Sequence, residues 1–299
     1  MKEFRIEDNP YRYLYVDITL KCNMNCNICC SAEKRDSDMT IEYFEEVCKR
    51  LKKKVVFRII GGEPTLHPDF FEFIRVANRY RHHITICTNG KTLSDYEYAK
   101  TLKNLDVDFP KKLGDPFIMI MDMSGGLTND DFYEEIQGKK CALMKTTALL
   151  NMLDLDYKRI AITAIIVRGL NEVVIPELLM LGEKHKAVRA VHFRNMAKVG
   201  RWVDTEPYEL DELKDLLKQH MGDEAVDNPY KILKGVTAPK GMKCHNCCYQ
   251  FQKDLYTQVC LIEFATERSA KCWYRGQLLN DNFKIVPMFE NMRIGFEWK

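Results

Sequence analysis

No apolar run in the 299-residue chain approaches the roughly 20 residues that a membrane-spanning helix needs. The opening Met1-Lys2-Glu3-Phe4-Arg5 lacks the apolar core of a secretory signal. Together these absences lead us to expect a soluble, cytoplasmic protein with no membrane partner. An excess of one charge is also missing: 45 Lys and Arg stand against 43 Asp and Glu, for a net charge of +2. That balance disfavours a nucleic-acid partner, because polyanion binding leans on clustered cations. The basic clusters that do occur, Lys52-Lys53-Lys54, Lys111-Lys112 and Lys139-Lys140, read as solvated faces. The first closes an amphipathic helix, where cations suit the C-terminus. No low-complexity segment is present, and the only internal repeat is a strand followed by a helix.

Cysteine is plentiful, with twelve in the chain. In a reducing compartment they argue for metal ligation over disulfides. The densest group is Cys22-Asn23-Met24-Asn25-Cys26-Asn27-Ile28-Cys29, just after the apolar run Leu14 to Leu20. Three thiols so close can converge on one centre without folding back across the domain. Soft thiolates at this spacing select iron–sulfur clusters, zinc or Cu(I). Zinc sites and cubane clusters both want four ligands. A cubane held by three cysteines keeps one iron open for substrate or cofactor. The alternatives are a structural zinc knuckle and a reactive dithiol or disulfide pair.

Apolar strands and amphipathic helices alternate along the chain. Strands are expected at Leu14–Leu20, Val55–Ile60, Ile84–Thr88, Phe117–Met123, Ile160–Val167 and Ala190–Phe193. Helices are expected at Ile41–Lys53, with Thr40 as N-cap, Pro68–Tyr80, Ser94–Leu105, Asp130–Leu153 broken near Gly138, Val173–His185 and Tyr208–His220. The strands read as continuous apolar runs, as for parallel strands buried on both faces. Strand–helix alternation implies a parallel α/β architecture with right-handed crossovers. Active sites of such folds lie at the C-terminal strand ends, where Cys22, Gly61, Thr88, Ser124, Arg168 and Arg194 fall.

The cysteine spacing C-x3-C-x2-C resembles the signature of the radical S-adenosylmethionine (radical SAM) enzymes. Gly61-Gly62-Glu63-Pro64, after the second strand, matches that family's GGE-type motif, and Thr88-Asn89-Gly90 a TNG found after the third. The resemblance runs from about Tyr13 to Met221 and implies a partial (β/α)6 barrel. It implies that Cys22, Cys26 and Cys29 hold a 4Fe–4S cluster whose open iron takes the amino and carboxylate groups of S-adenosylmethionine. An external one-electron donor such as flavodoxin or ferredoxin reduces the cluster. Cleavage then gives methionine and a 5′-deoxyadenosyl radical, which removes a substrate hydrogen. The same resemblance makes Gly61, Gly62, Glu63, Pro64 and Asn89 cofactor contacts, with Glu63 facing the methionine ammonium. Ser124 and Arg168 are candidates for the ribose hydroxyls and the methionine carboxylate, and Arg194 and Arg201 could face cofactor or substrate. Where the family usually has an aromatic residue before the third cysteine, this chain has Ile28. The adenine contact is then expected from backbone near Val191 to Phe193.

A second cysteine set follows a linker at 222–243. Cys244, Cys247, Cys260 and Cys272, with Cys248 as alternative to Cys247, resemble the ligands of a SPASM or shorter twitch domain. Asp254-Leu255 replaces the usual Asp-Gly of that hairpin. A single auxiliary iron–sulfur cluster is expected, a zinc ribbon being the alternative. The domain division is 1–221 for the barrel and 244–299 for a small cysteine-rich domain and tail. The aromatic tail from Phe283 is expected to pack on the barrel mouth or its helices. Cys30, Cys87 and Cys141 are free-thiol candidates for donating a hydrogen atom, though buried cysteine is more often a small hydrophobe. Three functions follow: maturation of a peptide, oxidation or rearrangement of a small polar metabolite such as a sugar, aminocyclitol or nucleotide, or a non-catalytic iron–sulfur or zinc protein. Against the first, the stretch before the barrel is shorter than the peptide-binding domain that many peptide-modifying members carry.

Overall fold

The computed structural model describes residues 3–30, 38–108, 115–197, 201, 205–223, 226, 247–252, 257–262, 269, 272, 274–280 and 282–288. Its elements, in chain order, are β1 (Phe4–Arg5), β2 (Tyr13–Thr19), α1 (Ile41–Arg50), β3 (Val56–Gly61), α2 (Phe70–Arg79), β4 (His83–Thr88), α3 (Tyr96–Lys103), β5 (Phe117–Asp122), α4 (Asp130–Gln137), α5 (Ala142–Asp154), β6 (Ile160–Ile166), α6 (Val174–Lys184), β7 (Val188–Asn195) and α7 (Leu210–Met221). Four strands follow: β8 (Cys248–Gln252), β9 (Gln258–Ile262), β10 (Arg275–Leu278) and β11 (Lys284–Pro287). Local chemistry sets the helix ends. Thr40 caps α1 by accepting from the Tyr43 N–H at 3.2 Å, and Asn129 caps α4 by accepting from Phe132 at 3.1 Å. Gly138 ends α4 in the left-handed region at φ 68°, a conformation that glycine takes without steric cost.

One sheet holds all eleven strands, in the order β1-β11-β10-β2-β3-β4-β5-β6-β7-β9-β8. The run β2 to β7 is parallel throughout. It is the mixed α/β, parallel-rich partial barrel expected from the strand–helix repeat. The ends differ from expectation. β9 pairs in parallel with β7, and β10 in parallel with β2. The C-terminal cysteine segment therefore extends both edges of the barrel sheet. Within the tail, Phe283 does stack on Tyr43 of α1 with centroids 4.5 Å apart, but residues 284–287 form a strand between β10 and β1. The rest of the tail, the linker residues 227–243 and Cys244 lie outside the described residues.

Side-chain parity also departs from expectation. Leu14, Val16 and Ile18 on β2, Phe57 and Ile59 on β3, Ile84 and Ile86 on β4, and Val191 and Phe193 on β7 belong to one buried cluster with the helices. Their alternates are Tyr15 and Asp17, Arg58, Thr85 and Cys87, and His192 and Arg194. Successive strand residues point to opposite faces, so the face turned from the helices is polar. These strands are half apolar, because the barrel interior is not filled as a second hydrophobic layer.

His82, between α2 and β4, shows how the helix layer fixes a protonation state. It is 3% exposed. Its Nδ1 accepts from the Val55 N–H at 3.3 Å, and Nε2 lies 3.4 Å from the Cys48 carbonyl. The ring must be neutral to do both. Desolvation by burial pushes its pKa down to about 4. In the unfolded chain the imidazole takes its proton near pH 6.5. Between these values the unfolded state binds more protons, so stability is full above pH 6.5 and is lost as pH falls toward 4. At about 1.4 kcal/mol per unit, His82 contributes up to ~3 kcal/mol of this acid sensitivity. The melting temperature of His82→Gln should fall less steeply from pH 6.5 to 4.5 than that of the wild type; equal slopes would contradict this.

Candidate active site

The cysteine loop leaves the C-terminal end of β2 and is tied down by backbone. The Gly62 N–H donates to Thr19 O and the Glu63 N–H to Lys21 O, each at 2.8 Å. The opposing chains are so close that side chains do not fit. A Cβ at Gly61 would stand 2.0 Å from Thr19 O, and one at Gly62 2.1 Å from Lys21 O. Gly61 also has φ +134°. The two glycines thus serve first to dock β3 onto the root of the loop.

The far side of the loop rests on α4. Asn27 N and Ile28 N donate to Ile136 O at 3.0 and 3.3 Å, and Asn27 Nδ2 donates to Glu135 O at 2.7 Å. Arg201 donates through Nη1 to Asn25 Oδ1 at 2.6 Å and to Cys26 O at 3.2 Å. It holds the loop from an exposed position. Asn89 bridges the two motifs: its Nδ2 donates to Asn23 Oδ1 at 2.9 Å, and its N–H to Glu63 Oε2 at 2.7 Å.

Glu63 is 1% exposed. Its Oε1 accepts from Thr65 Oγ1 at 2.6 Å and Thr88 Oγ1 at 2.7 Å. Burial pushes its pKa up, against these hydrogen bonds. The carboxylate joins β3 and β4. Pro64 opens a 3-10 turn, Pro64–Leu66, for which Glu63 is the cap.

The thiols of Cys22 and Cys26 pack against one small apolar cluster, Met24, Tyr133, Cys141 and Ala142. Burial pushes the Cys26 thiol up to about 12, and Asp122, Cys29 and Cys22 act on it electrostatically in the same sense. The three thiols therefore share one neighbourhood. Among the described residues no three His, Cys, Asp or Glu side chains close on a single metal ion. A cubane places each cysteine on a different iron, so its thiols stand further apart than ligands of one zinc. Soft sulfur donors within one loop suit an iron–sulfur cluster, and Cys22, Cys26 and Cys29 would be the residues to hold it. Beneath it lies a charged network absent from the sequence-based candidates. Lys145, with no exposed side-chain surface, bonds Asp122 Oδ2 and Asp122 O, each at 2.9 Å. Ser124 Oγ (2.6 Å) and Gln137 Nε2 also donate to the same carboxylate. Burial opposes the Asp122 charge, but Lys145 and the donors outweigh it and hold the carboxyl below its usual range.

Several expected contacts fall elsewhere. Ser124 is fully buried, donating to Asp122 and accepting from the Ile165 N–H at 3.0 Å; it fixes β5 against β6 instead of meeting ribose hydroxyls. Arg168 is exposed, paired to Glu212 at 2.6 Å with its guanidinium over the Tyr208 ring at 4.1 Å. The surface ion pair replaces a carboxylate clamp. The 191–193 backbone is consumed by ladders to both β6 and β9, so it offers no purine contact. The apolar patch near the loop is instead Ile28 against Ile136, Val167 and Met196. Arg194 faces the barrel interior with Cys87 and Arg58. Cys30 lies beside Cys29, Asp17 and Arg194, its thiol pushed up to about 12 by burial. Cys141 is packed under the loop, donating to Gln137 Oε1 at 3.6 Å. Of the three free-thiol candidates, Cys30 and Cys87 face the interior.

At the C-terminal set, Cys247 lies within hydrogen-bond reach of both Cys248 and Cys272. That contact raises the Cys247 thiol and lowers the other two. Cys260, opposite His192 on β7, is in electrostatic reach of Cys248. Cys247 and Cys248 thus both belong to this group.

Comparison with known proteins agrees. The family model "Radical SAM superfamily" matches residues 16–111, the span of the cysteine loop, Gly61-Gly62-Glu63 and Thr88-Asn89-Gly90. Over those residues the chain resembles the radical SAM superfamily. The resemblance supports an enzyme with a 4Fe–4S cluster and S-adenosylmethionine. A 7,8-dihydro-6-hydroxymethylpterin dimethyltransferase of Methanocaldococcus jannaschii is 24% identical over 195 residues, covering 62% of this chain and 36% of that protein. A GTP 3',8-cyclase of Staphylococcus aureus is 23% identical over 240 residues, covering 74% of this chain and 65% of that one. The chain thus spans between about a third and two thirds of the length of these relatives. Streptococcus suis SuiB, solved bound to its precursor peptide SuiA, superposes with TM-score 0.66 at 13% identity over 97% of this chain and 62% of that structure. That likeness establishes a shared fold. No helix among the described residues is long and apolar enough to cross a membrane.

Proposed function

We propose that the protein is a peptide-modifying radical SAM enzyme with an auxiliary iron–sulfur cluster at its C-terminal cysteines. The observation that carries the radical reading is the glycine-dependent docking of Gly61-Gly62-Glu63 onto the base of the Cys22–Cys29 loop. S-adenosylmethionine bound at the reduced cluster would supply a carbon radical able to take a hydrogen atom from substrate. The chain holds the three-thiol loop rigid from β3, α4, Asn89 and Arg201. The Glu63 carboxylate, engaged by Thr65, Thr88 and Asn89, and the backbone carbonyls of this segment would offer acceptors to the methionine ammonium. Ile28, Val167 and Met196 offer the purine an apolar wall.

The peptide reading is supported by the fold shared with SuiB over nearly the whole chain. The auxiliary cluster is supported by the convergence of Cys247, Cys248 and Cys272, with Cys260 close by. A second reading, chemistry on a small polar metabolite, is favoured by the match to a GTP 3',8-cyclase over 74% of this chain.

Anaerobic loading with iron and sulfide tests the metal sites. Two cubane clusters require about eight irons per chain. Cys22→Ala, Cys26→Ala and Cys29→Ala together should remove about four of them and abolish 5′-deoxyadenosine formation from S-adenosylmethionine and dithionite. Unchanged iron in that variant would refute the central assignment. About four irons with one bound zinc would keep the enzyme and make the C-terminal site structural. Where a short reading frame beside the gene encodes a precursor peptide, incubation with that peptide should change its mass. Turnover of a phosphorylated metabolite with the peptide untouched would decide for the second reading.

A further inference from the structure

The C-terminal thiols join parts of the sheet that are far apart in strand order. Cys248 lies on β8 and Cys260 on β9, at one end of the sheet, while Cys272 stands just before β10, near the other. Seven strand-to-strand steps separate β9 from β10, about 34 Å in a flat sheet. Cys247 nevertheless lies within hydrogen-bond reach of both Cys248 and Cys272. The curl of the sheet brings its two ends together here, with Cys247 4% and Cys260 6% exposed. Cys272 packs against the interior cluster of Tyr15 and Met288.

Three arginines of the interior face surround this group. Arg58 on β3, Arg194 on β7 and Arg275 on β10 occupy positions alternate to the helix-facing residues. Arg58 bonds the Tyr15 hydroxyl at 2.8 Å. Cys260 faces His192 in the β7–β9 ladder, two residues before Arg194. The Arg275 guanidinium donates to the Cys248 sulfur, and the backbone N–H groups of Tyr274 and Arg275 donate to that of Cys272. Arg275 also acts electrostatically on Cys247 and Cys260, and Arg58 and Arg194 act on Cys260.

A guanidinium cannot discharge by losing its proton, and a buried ion needs an opposite charge within reach. Of the nearby carboxylates, Asp17 accepts from Gln277 at 2.6 Å, and burial favours its neutral form. Asp122 is balanced by Lys145. A thiol that ligates a metal is deprotonated, so the loaded C-terminal group supplies the negative charge.

We propose that Arg275, supported by Arg58 and Arg194, is the counter-charge of the metal-loaded C-terminal thiols and gives an iron–sulfur cluster there a higher reduction potential than the cluster at Cys22, Cys26 and Cys29. The inference rests on the auxiliary cluster of the proposed function. Reduction adds a negative charge, which nearby guanidiniums and hydrogen bonds to sulfur favour. At the first site the buried charged neighbours of Cys26 are the balanced pair Asp122 and Lys145.

A redox titration of the iron-loaded protein, followed by electron paramagnetic resonance without S-adenosylmethionine, tests this. Two one-electron steps are expected, and Cys22→Ala, Cys26→Ala and Cys29→Ala together should remove the lower one. In that triple variant Arg275→Met should shift the remaining equilibrium about tenfold toward the oxidised form, a fall of about 59 mV. Arg275→Lys should keep most of the potential, since the charge remains. Arg58→Met and Arg194→Met should each lower it by less, and they serve if the Arg275 variants fail to fold. Arg75→Met, on the exposed face of α2, should leave it unchanged. An unchanged potential in all three interior variants overturns the proposal and leaves the cluster standing. So does loss of the higher step in the triple cysteine variant. Zinc in place of iron at the C-terminal site would remove the auxiliary cluster and the potential with it. Arg275→Met should then hold zinc about tenfold more weakly against a chelator, and equal retention would overturn the counter-charge as well. A C-terminal site that takes neither metal overturns both.

Discussion

Gly62→Ala is expected to destroy the radical reaction while leaving the sheet folded. The new Cβ would meet Lys21 O at 2.1 Å, Lys21 C at 2.6 Å and Leu20 O at 2.8 Å. All three are backbone atoms of the strand-to-loop junction, so no side chain can swing aside. The junction must move by about 1 Å, and displacement on that scale at reacting groups can cost on the order of a hundredfold in rate. We expect 5′-deoxyadenosine formation to fall about that far, with reduced iron loading of the first site and a wild-type circular dichroism spectrum. Gly169→Ala is the control. It sits at positive φ, +74°, where Gly62 does not, and nothing among the described residues lies within 4 Å of its Cβ position. It should lose about 1 kcal/mol of stability through backbone strain and retain turnover. Equal activity in the two variants would show that the close approach of β3 to the loop is not what positions the cofactor.

Lys145→Met should produce the largest loss of stability. The lysine is fully buried and its partner Asp122 is 19% exposed at the side chain. Removing one member of a buried pair leaves a charge without compensation and costs about 3–5 kcal/mol. In a chain of this size each kcal/mol moves the melting temperature by about 2–4 °C, so a drop of ~6–20 °C is expected by calorimetry. Asp122→Asn in the same chain should restore part of the loss, because the amide keeps the shape and carries no charge. A Lys145→Met protein melting within about 2 °C of wild type would show that Asp122 is solvated or neutral. The pair also touches the cofactor loop: Asp122 raises and Lys145 lowers the Cys26 thiol. Iron loading at limiting metal should therefore weaken in Lys145→Met.

A candidate site was legible in the sequence where its chemistry depends on contiguous residues. Cys22, Cys26 and Cys29 lie within one loop, and Gly61-Gly62-Glu63 within one turn, so spacing alone was informative. It failed where function depends on which way a strand-end side chain turns. Ser124 and Arg168 both stand at the C-terminal ends of strands, yet one is sealed between β5 and β6 and the other lies on the surface against α7. It failed again where the holding group is a backbone carbonyl. Glu135 O and Ile136 O anchor the loop, and every residue type carries that atom. Arg58, His192 and Arg194 were visible as breaks in apolar runs. Their meaning depended on strand parity, which a reading of β2, β3 and β7 as uniformly apolar concealed. The fold's centre followed from the strand–helix repeat. Its edges did not, because β9 and β10 are short and their partners lie far away in sequence.

The distance between those partners has a consequence for synthesis. Gln277 on β10 bonds Asp17 on β2 at 2.6 Å across 260 positions. At about 5–20 residues per second, β2 emerges from the ribosome roughly 13–50 s before the strand that covers its outer edge. During that interval the nascent barrel presents unpaired amides beside a half-built interior, the condition under which strands join foreign chains. Metal taken up early by the Cys22–Cys29 loop would fix β2 to β3 on its other side and leave this outer edge open until β10 is made.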